Sequence, residues 1–147
     1  MQFKEDITKE TERINDKFRT KNWQPIVLLK EHHSHEELLP LFKLADVCMV
    51  TSLHDGMNLV AKEYVAARDK ESGVLMLSKF TGAMRDLKGA LVINPYSAEE
   101  TSEALHVALN MPSSEQKKRM KKMRDSIKNY NIYRWSAEFI KAITSLS

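Results

Sequence analysis

What the chain lacks narrows its class before any motif is considered. One cysteine, Cys48, in 147 residues leaves no disulfide framework to build. It sits inside an apolar stretch, which argues for a reduced structural thiol and a cytoplasmic location. No apolar run approaches the roughly 20 residues that span a bilayer, and the opening Met1-Gln2-Phe3-Lys4-Glu5-Asp6 is too charged for a secretion signal. A soluble chain with no membrane partner is expected. A strong excess of one charge is missing too, since 23 basic and 20 acidic residues give a formal +3. The surplus is concentrated from Lys117 to Lys128 and carries no interleaved aromatics. It reads as a solvated helix face, with Met120, Met123 and Ile127 as the apolar stripe behind it, and nucleic acid is not indicated. His32, His33 and His35 lie beside Glu31, Glu36 and Glu37, but no cysteine or carboxylate array at ligand spacing accompanies them, so no metal site is expected.

What is present fits one globular domain with a sizeable core, 42% of the residues being hydrophobic. The pattern alternates helix and strand. Phe3, Ile7, Ile14 and Phe18 space out an amphipathic helix, and Pro25 opens a short strand from Ile26 to Leu29. A helix from about Glu36 to Leu44 contains Pro40, which is awkward beyond the first turn. A buried, central strand is expected at Val47 to Val50, a helix from Asn58 to Arg68, and a strand from Val74 to Leu77. A loop with a short helix follows at Thr81 to Asp86, then a fourth strand at Ala90 to Ile93 and a helix from Ala98 to Asn110. Two helices finish the chain, the last an amphipathic one within 131–147 with Ile132, Trp135, Phe139 and Ile143 on one face. This order predicts an α/β fold, a Rossmann-like, mostly parallel sheet with flanking helices. Ligands of such sheets bind at the carboxyl ends of the strands. The loops after the strands, Thr51 to Asn58, Ser78 to Ala83 and Asn94-Pro95-Tyr96, should line one crevice. Within the second, Gly82 either lets the backbone approach a ligand or serves a tight turn.

The first of these loops is the most informative. It joins an apolar strand to a helix through an acid, a glycine and an amide. The first amides of a helix have no internal partners and carry the positive end of the macrodipole, so a phosphate or a sugar hydroxyl finds donors there. Gly56 allows close backbone approach, Asp55 can accept from hydroxyl groups, and Glu63, two turns further on, suits a vicinal diol. The alternative is an ordinary strand-loop-helix unit in which Asp55 or Asn58 caps the helix. Spacing alone leaves both open.

The string Asp55-Gly56-Met57-Asn58-Leu59-Val60-Ala61-Lys62-Glu63 resembles the donor-binding motif of the trehalose-6-phosphate synthase family, retaining glycosyltransferases with two Rossmann domains. The resemblance continues through Ile14-Asn15, Trp23, Pro25-Ile26, Ala45-Asp46-Val47, Gly73-Val74-Leu75, Ser78, Phe80, Thr81-Gly82-Ala83, Gly89-Ala90-Leu91, Asn94-Pro95-Tyr96, Ala104, Ala108-Leu109 and Met111-Pro112. It covers nearly the whole chain from about Glu12. It implies that residues 1–147 are a single donor-binding fragment, the later part of the C-terminal domain of such an enzyme. The acceptor domain and the basic residues that grip the donor diphosphate have no counterpart here.

By that resemblance Asp55 holds glucose hydroxyls and is the catalytic-site residue. The amides of Gly56, Met57 and Asn58 fix the sugar, those of Leu59 and Val60 face the diphosphate, and Glu63 binds the ribose. The donor is UDP-glucose, the acceptor a sugar phosphate such as glucose 6-phosphate, and neither cofactor nor metal is implied. The missing acceptor domain is an expected partner, and a homodimer through the terminal helix is a further expectation. The family usually places an arginine before Asp-Gly-Met-Asn, whereas His54 stands here. A glucosylglycerol-phosphate synthase-like transferase, or a non-catalytic module that binds nucleotide sugars, therefore stays open as an alternative.

Overall fold

The computed structural model describes the backbone of residues 2–145 and the side chains of residues 4–145. Phe3 of the expected first stripe and the Leu146 end of the expected last helix lie outside those described side chains. The chain divides into two compact units, residues 1–34 and 35–147.

In the first unit, helix α1 (Gln2–Phe18) is followed by a tight turn closed by a Thr20 to Trp23 bridge, with the Thr20 N–H donating to the Trp23 carbonyl at 2.8 Å. The expected strand from Ile26 to Leu29 does not form. A strand exists only through a ladder partner. Here both backbone polar groups of Ile26 go instead to the Asn15 side chain, whose Nδ2 donates to the Ile26 carbonyl and whose Oδ1 accepts from the Ile26 N–H, each at 2.9 Å.

The second unit is an α/β layer structure. Its elements are α2 (His35–Leu44), β1 (Val47–Val50), α3 (Leu59–Ala67), β2 (Val74–Ser78), a short 3-10 turn (Gly82–Arg85), β3 (Leu91–Ile93), α4 (Ala98–Leu109), α5 (Ser113–Asn129) and α6 (Ile132–Thr144). The sheet is parallel throughout, in the order β1-β2-β3, with Val47 beside Val74 and Met76 beside Leu91. Pro40 sits inside α2 rather than in its first turn, so the ladder bond to the Glu36 carbonyl is lost there.

All five residues of β2 are buried, and their alternation divides the core. Leu75 and Leu77 pack with Val50, Tyr64, Val65, Met120 and Met123 on the α3 and α5 side. Val74 and Met76 pack with Ile93 and Ala108 on the α4 side. Side chains buried on both faces are what a parallel sheet between helices demands. The central strand is therefore β2. β1, expected to be central and buried, is an edge strand: only Val50 is buried and Met49 is 47% exposed. Partial burial on the α3 side still pushes the Cys48 thiol up to about 11, as a protonated structural thiol requires.

Two arginines fix the helices at the end of the layer away from the β1 to α3 loop. Arg68, 7% exposed, donates to the Phe42 and Lys43 carbonyls at the end of α2 at 2.9 and 2.6 Å, and to the Ser72 carbonyl and hydroxyl at 2.7 and 2.8 Å. Arg124 of α5 donates to the Val65 and Ala66 carbonyls in the last turn of α3 at 3.1 and 2.8 Å. Cations at helix C-termini meet carbonyls that have no partner within the helix. The basic run of α5 thus has two parts: Arg119 and Arg124 are tied down, while Lys117, Lys118, Lys121 and Lys122 are exposed. The stripe behind them is buried through Met120 and Met123.

No residue of α6 is buried, and Trp135 and Phe139 stack on each other with ring centroids 5.3 Å apart. No helix among the described residues is long and apolar enough to cross a membrane.

Candidate functional site

The carboxyl end of β1 leads into a loop that its own side chains shape. Asp55 accepts from the Met57 N–H through Oδ1 at 3.0 Å, a turn that aspartate forms readily, and from Asn58 Nδ2 through Oδ2 at 2.9 Å. Asn58 in turn accepts from the Ala61 N–H at 2.9 Å, capping α3, and its amide also reaches the Ser52 hydroxyl at 3.4 Å. Asn58 holds φ +74°, a left-handed backbone that asparagine tolerates better than most residues. One buried side chain therefore starts the helix and orients the acid three residues before it. The alternative left open by spacing, that Asp55 or Asn58 caps the helix, resolves in favour of Asn58 and leaves Asp55 as the residue it holds.

The same contacts set the charge state of Asp55. The Asn58 side-chain bond first, then the Met57 amide, hold its carboxyl below the ordinary value of 3.8, and the nearby His54 acts in the same direction. It is an anion at neutral pH.

A second segment backs this loop. The Asp55 N–H donates to the Phe80 carbonyl at 3.2 Å, the Gly82 N–H to the Asp55 carbonyl at 3.0 Å, and the Ala83 N–H to the Met57 carbonyl at 2.8 Å. Asp55 and Thr81 form a parallel bridge. The loop after β3 joins through an edge-to-face contact of Phe80 and Tyr96, ring centroids 5.6 Å apart. The first two strand-end loops line one hollow, as expected, while the Asn94-Pro95-Tyr96 loop meets them through Phe80 without lining it. Lys62 of α3 is also tied to the end of the 3-10 turn through Asp86 at 3.0 Å.

Two open hollows flank the start of α3. One, of about 320 Å³, is lined by Asp55, Gly56, Lys79, Phe80, Thr81, Gly82, Met84 and Arg85. The other, of about 280 Å³, is more apolar and is lined by Met57, Leu59, Lys62, Tyr130, Asn131, Ile132 and Trp135. The amides of Leu59 and Val60 belong to the first turn of α3, before its internal ladder begins. Leu59 and Val60 are 61% and 45% exposed, which leaves that turn open to a ligand. Glu63 is half-buried one turn beyond Leu59, rather than two turns on, and lines neither hollow. The loop and helix start thus bring Asp55, Met57 and Asn58 together by direct bonds, with Gly56 carried between them by the chain, while Leu59, Val60 and Glu63 are placed by the helix alone. No three His, Cys, Asp or Glu side chains come together for a metal ion among the described residues.

The model of glycosyltransferase family 20 matches residues 1–145. The chain belongs to that family. It is 44% identical over 136 residues to the trehalose-6-phosphate synthase of Klebsiella pneumoniae, covering 92% of this chain and 29% of that protein. It is 46% identical over 124 residues to the glucosylglycerol-phosphate synthase of a Picosynechococcus species, covering 84% of this chain and 25% of the relative. Among solved structures, the Escherichia coli trehalose-6-phosphate structure bound with UDP-2-fluoro glucose superposes with a TM-score of 0.89 at 42% identity, over 95% of this chain and 31% of that one. The family 20 chain described here spans less than a third of the length of these proteins.

Sequence reasoning reached the Asp55 to Glu63 string but missed Ser52, Phe80, Ala83 and the Lys62 to Asp86 pair as supports of it. The signal available for the first three was their place at strand ends. Nothing in local sequence pairs Lys62 with a carboxylate 24 residues away.

Proposed function

We propose that this chain binds UDP-glucose and forms part of an α,α-trehalose-phosphate synthase that transfers glucose to glucose 6-phosphate. What carries the reading is the loop at the start of α3, where an ionised Asp55, held by Asn58, lies beside unladdered amides on the open side of Gly56. A Cβ built on Gly56 would meet nothing within 4 Å, so the space over the loop is free for a ligand. In this reading Asp55 accepts from glucose hydroxyls, and the amides of Gly56, Met57 and Asn58 fix the sugar, the Met57 N–H being shared between Asp55 Oδ1 and the ligand. Those of Leu59 and Val60 meet the diphosphate and Glu63 binds the ribose. A dipole fixed at the departing diphosphate stabilises the charge that develops there, which is the chief contribution to rate in a retaining transfer by same-face attack. No metal or cofactor enters the scheme. Basic groups that complete the diphosphate site come from the parts with no counterpart here, the opening strands of the donor domain and the acceptor domain; the acceptor domain is the partner this chain requires, and the assembly works in the cytoplasm.

A second acceptor stays in view because of the 46% identity to a glucosylglycerol-phosphate synthase: the loop serves the donor and does not choose between acceptors.

The test is an NMR titration of the chain with UDP-glucose, UDP and an adenine nucleotide. Saturable binding of the two uridine ligands is expected, with dissociation constants around 1 mM or somewhat below, about 4 kcal/mol, since about half of the contacts are present. Asp55→Ala and Glu63→Ala should each weaken UDP-glucose. Equal response to all three nucleotides, or none, would refute the reading.

A further inference from the structure

We infer that the turn Ser78 to Ala83, with Gly82 at its closest approach, is a positioning element that holds the 55–57 backbone in the shape that receives the sugar half of the donor. The inference rests on the donor-site reading above and adds residues that lie outside the donor string.

The turn is rigid in its own right. Ser78, fully buried, accepts from the Phe80 N–H through Oγ at 3.1 Å, and Thr81, 3% exposed, donates its hydroxyl to the Ser78 carbonyl at 2.9 Å. This turn shape satisfies both buried hydroxyls at the end of the central strand with groups of the turn itself. It then presents the Phe80 carbonyl and the Gly82 and Ala83 amides, which take up the Asp55 N–H, the Asp55 carbonyl and the Met57 carbonyl. Three of the four peptides from His54 to Asn58 are thus pinned from behind.

Gly82 makes that contact possible. A Cβ there would stand 2.0 Å from the Gly56 carbonyl oxygen and 2.9 Å from its carbon, both backbone atoms that cannot swing aside. The opposite side of Gly56 is open. An alanine at position 82 therefore pushes the Gly56 to Met57 peptide outward by roughly 1 Å, into the space the sugar needs. The nucleotide half depends on the α3 amides and Glu63, which none of these three bonds reaches.

The split between the two halves of the ligand is the readout that a merely structural role would not move. Gly82→Ala should weaken UDP-glucose at least about tenfold in the NMR titration while UDP changes less than about twofold. Equal loss for both ligands, or no loss for either, overturns the inference. Should Gly82→Ala fail to fold, Ser78→Ala loosens the turn without a clash; a selective loss of UDP-glucose of about threefold supports the inference, and unchanged or equal affinities overturn it. A wild-type chain that binds neither ligand refutes the donor-site reading itself, and this inference falls with it.

Discussion

Replacing Asn58 separates a left-handed cap that holds Asp55 from ordinary helix capping. Its side chain caps α3 through Ala61 and holds Asp55, and its backbone lies at φ +74°. Alanine forfeits the cap, about 1 kcal/mol, and the bond to Asp55, about another 1 kcal/mol, and must hold a left-handed backbone at about 1 kcal/mol more. Asn58→Ala should therefore destabilise the fold by about 3 kcal/mol. Glycine forfeits the same side chain but adopts a positive φ without strain, so Asn58→Gly should cost about 1–2 kcal/mol. Inside a helix the order is the reverse, alanine exceeding glycine by about 1 kcal/mol. Urea unfolding followed by far-UV circular dichroism measures both midpoints. An alanine variant as stable as the glycine variant, or more stable, would refute the left-handed cap and with it the account of how Asp55 is oriented.

The share of donor affinity that Asp55 supplies, read as wild type against Asp55→Ala, should be flat from neutral pH down through the ordinary aspartate value of 3.8, then fall as pH drops through the depressed value of Asp55, because the carboxylate is the form that accepts from sugar hydroxyls. Any stability the ionised group lends is present above its unfolded value and is lost over the same fall. In Asn58→Gly the inflection should move upward, since the largest cause of the depression is gone; a carbon-detected titration of the Asp55 carboxyl decides this. Arg68→Met strips charged donors from four acceptors around the end of α2 and Ser72, and should lower stability by about 3 kcal/mol while leaving UDP affinity unchanged. A calorimetric melt within a degree of wild type would contradict that assignment.

The parts legible in sequence were those governed by local rules. Apolar spacing located α3 to within a residue at each end, because Asn58 is a strong cap and Leu59, Val60, Tyr64 and Val65 mark one stretch of helix. Met120 and Met123 were readable as the inner face of α5 for the same reason. Ile26 to Leu29 misled, since four apolar residues satisfy a strand pattern but cannot supply the neighbour that a strand needs, and Asn15 took the backbone groups first.

The amino-acid order by itself determined which segment carries the acid, the glycine and the capping amide, and in what spacing, because those depend on three or four consecutive residues. Only the tertiary structure decided that β2 and not β1 is central, that Arg68 serves a helix 25 residues before it, and that Gly82 lies under Gly56. Each of these is a pairing across 15 or more residues of chain. Local propensity is silent there, and the packing of one backbone against another sets the result.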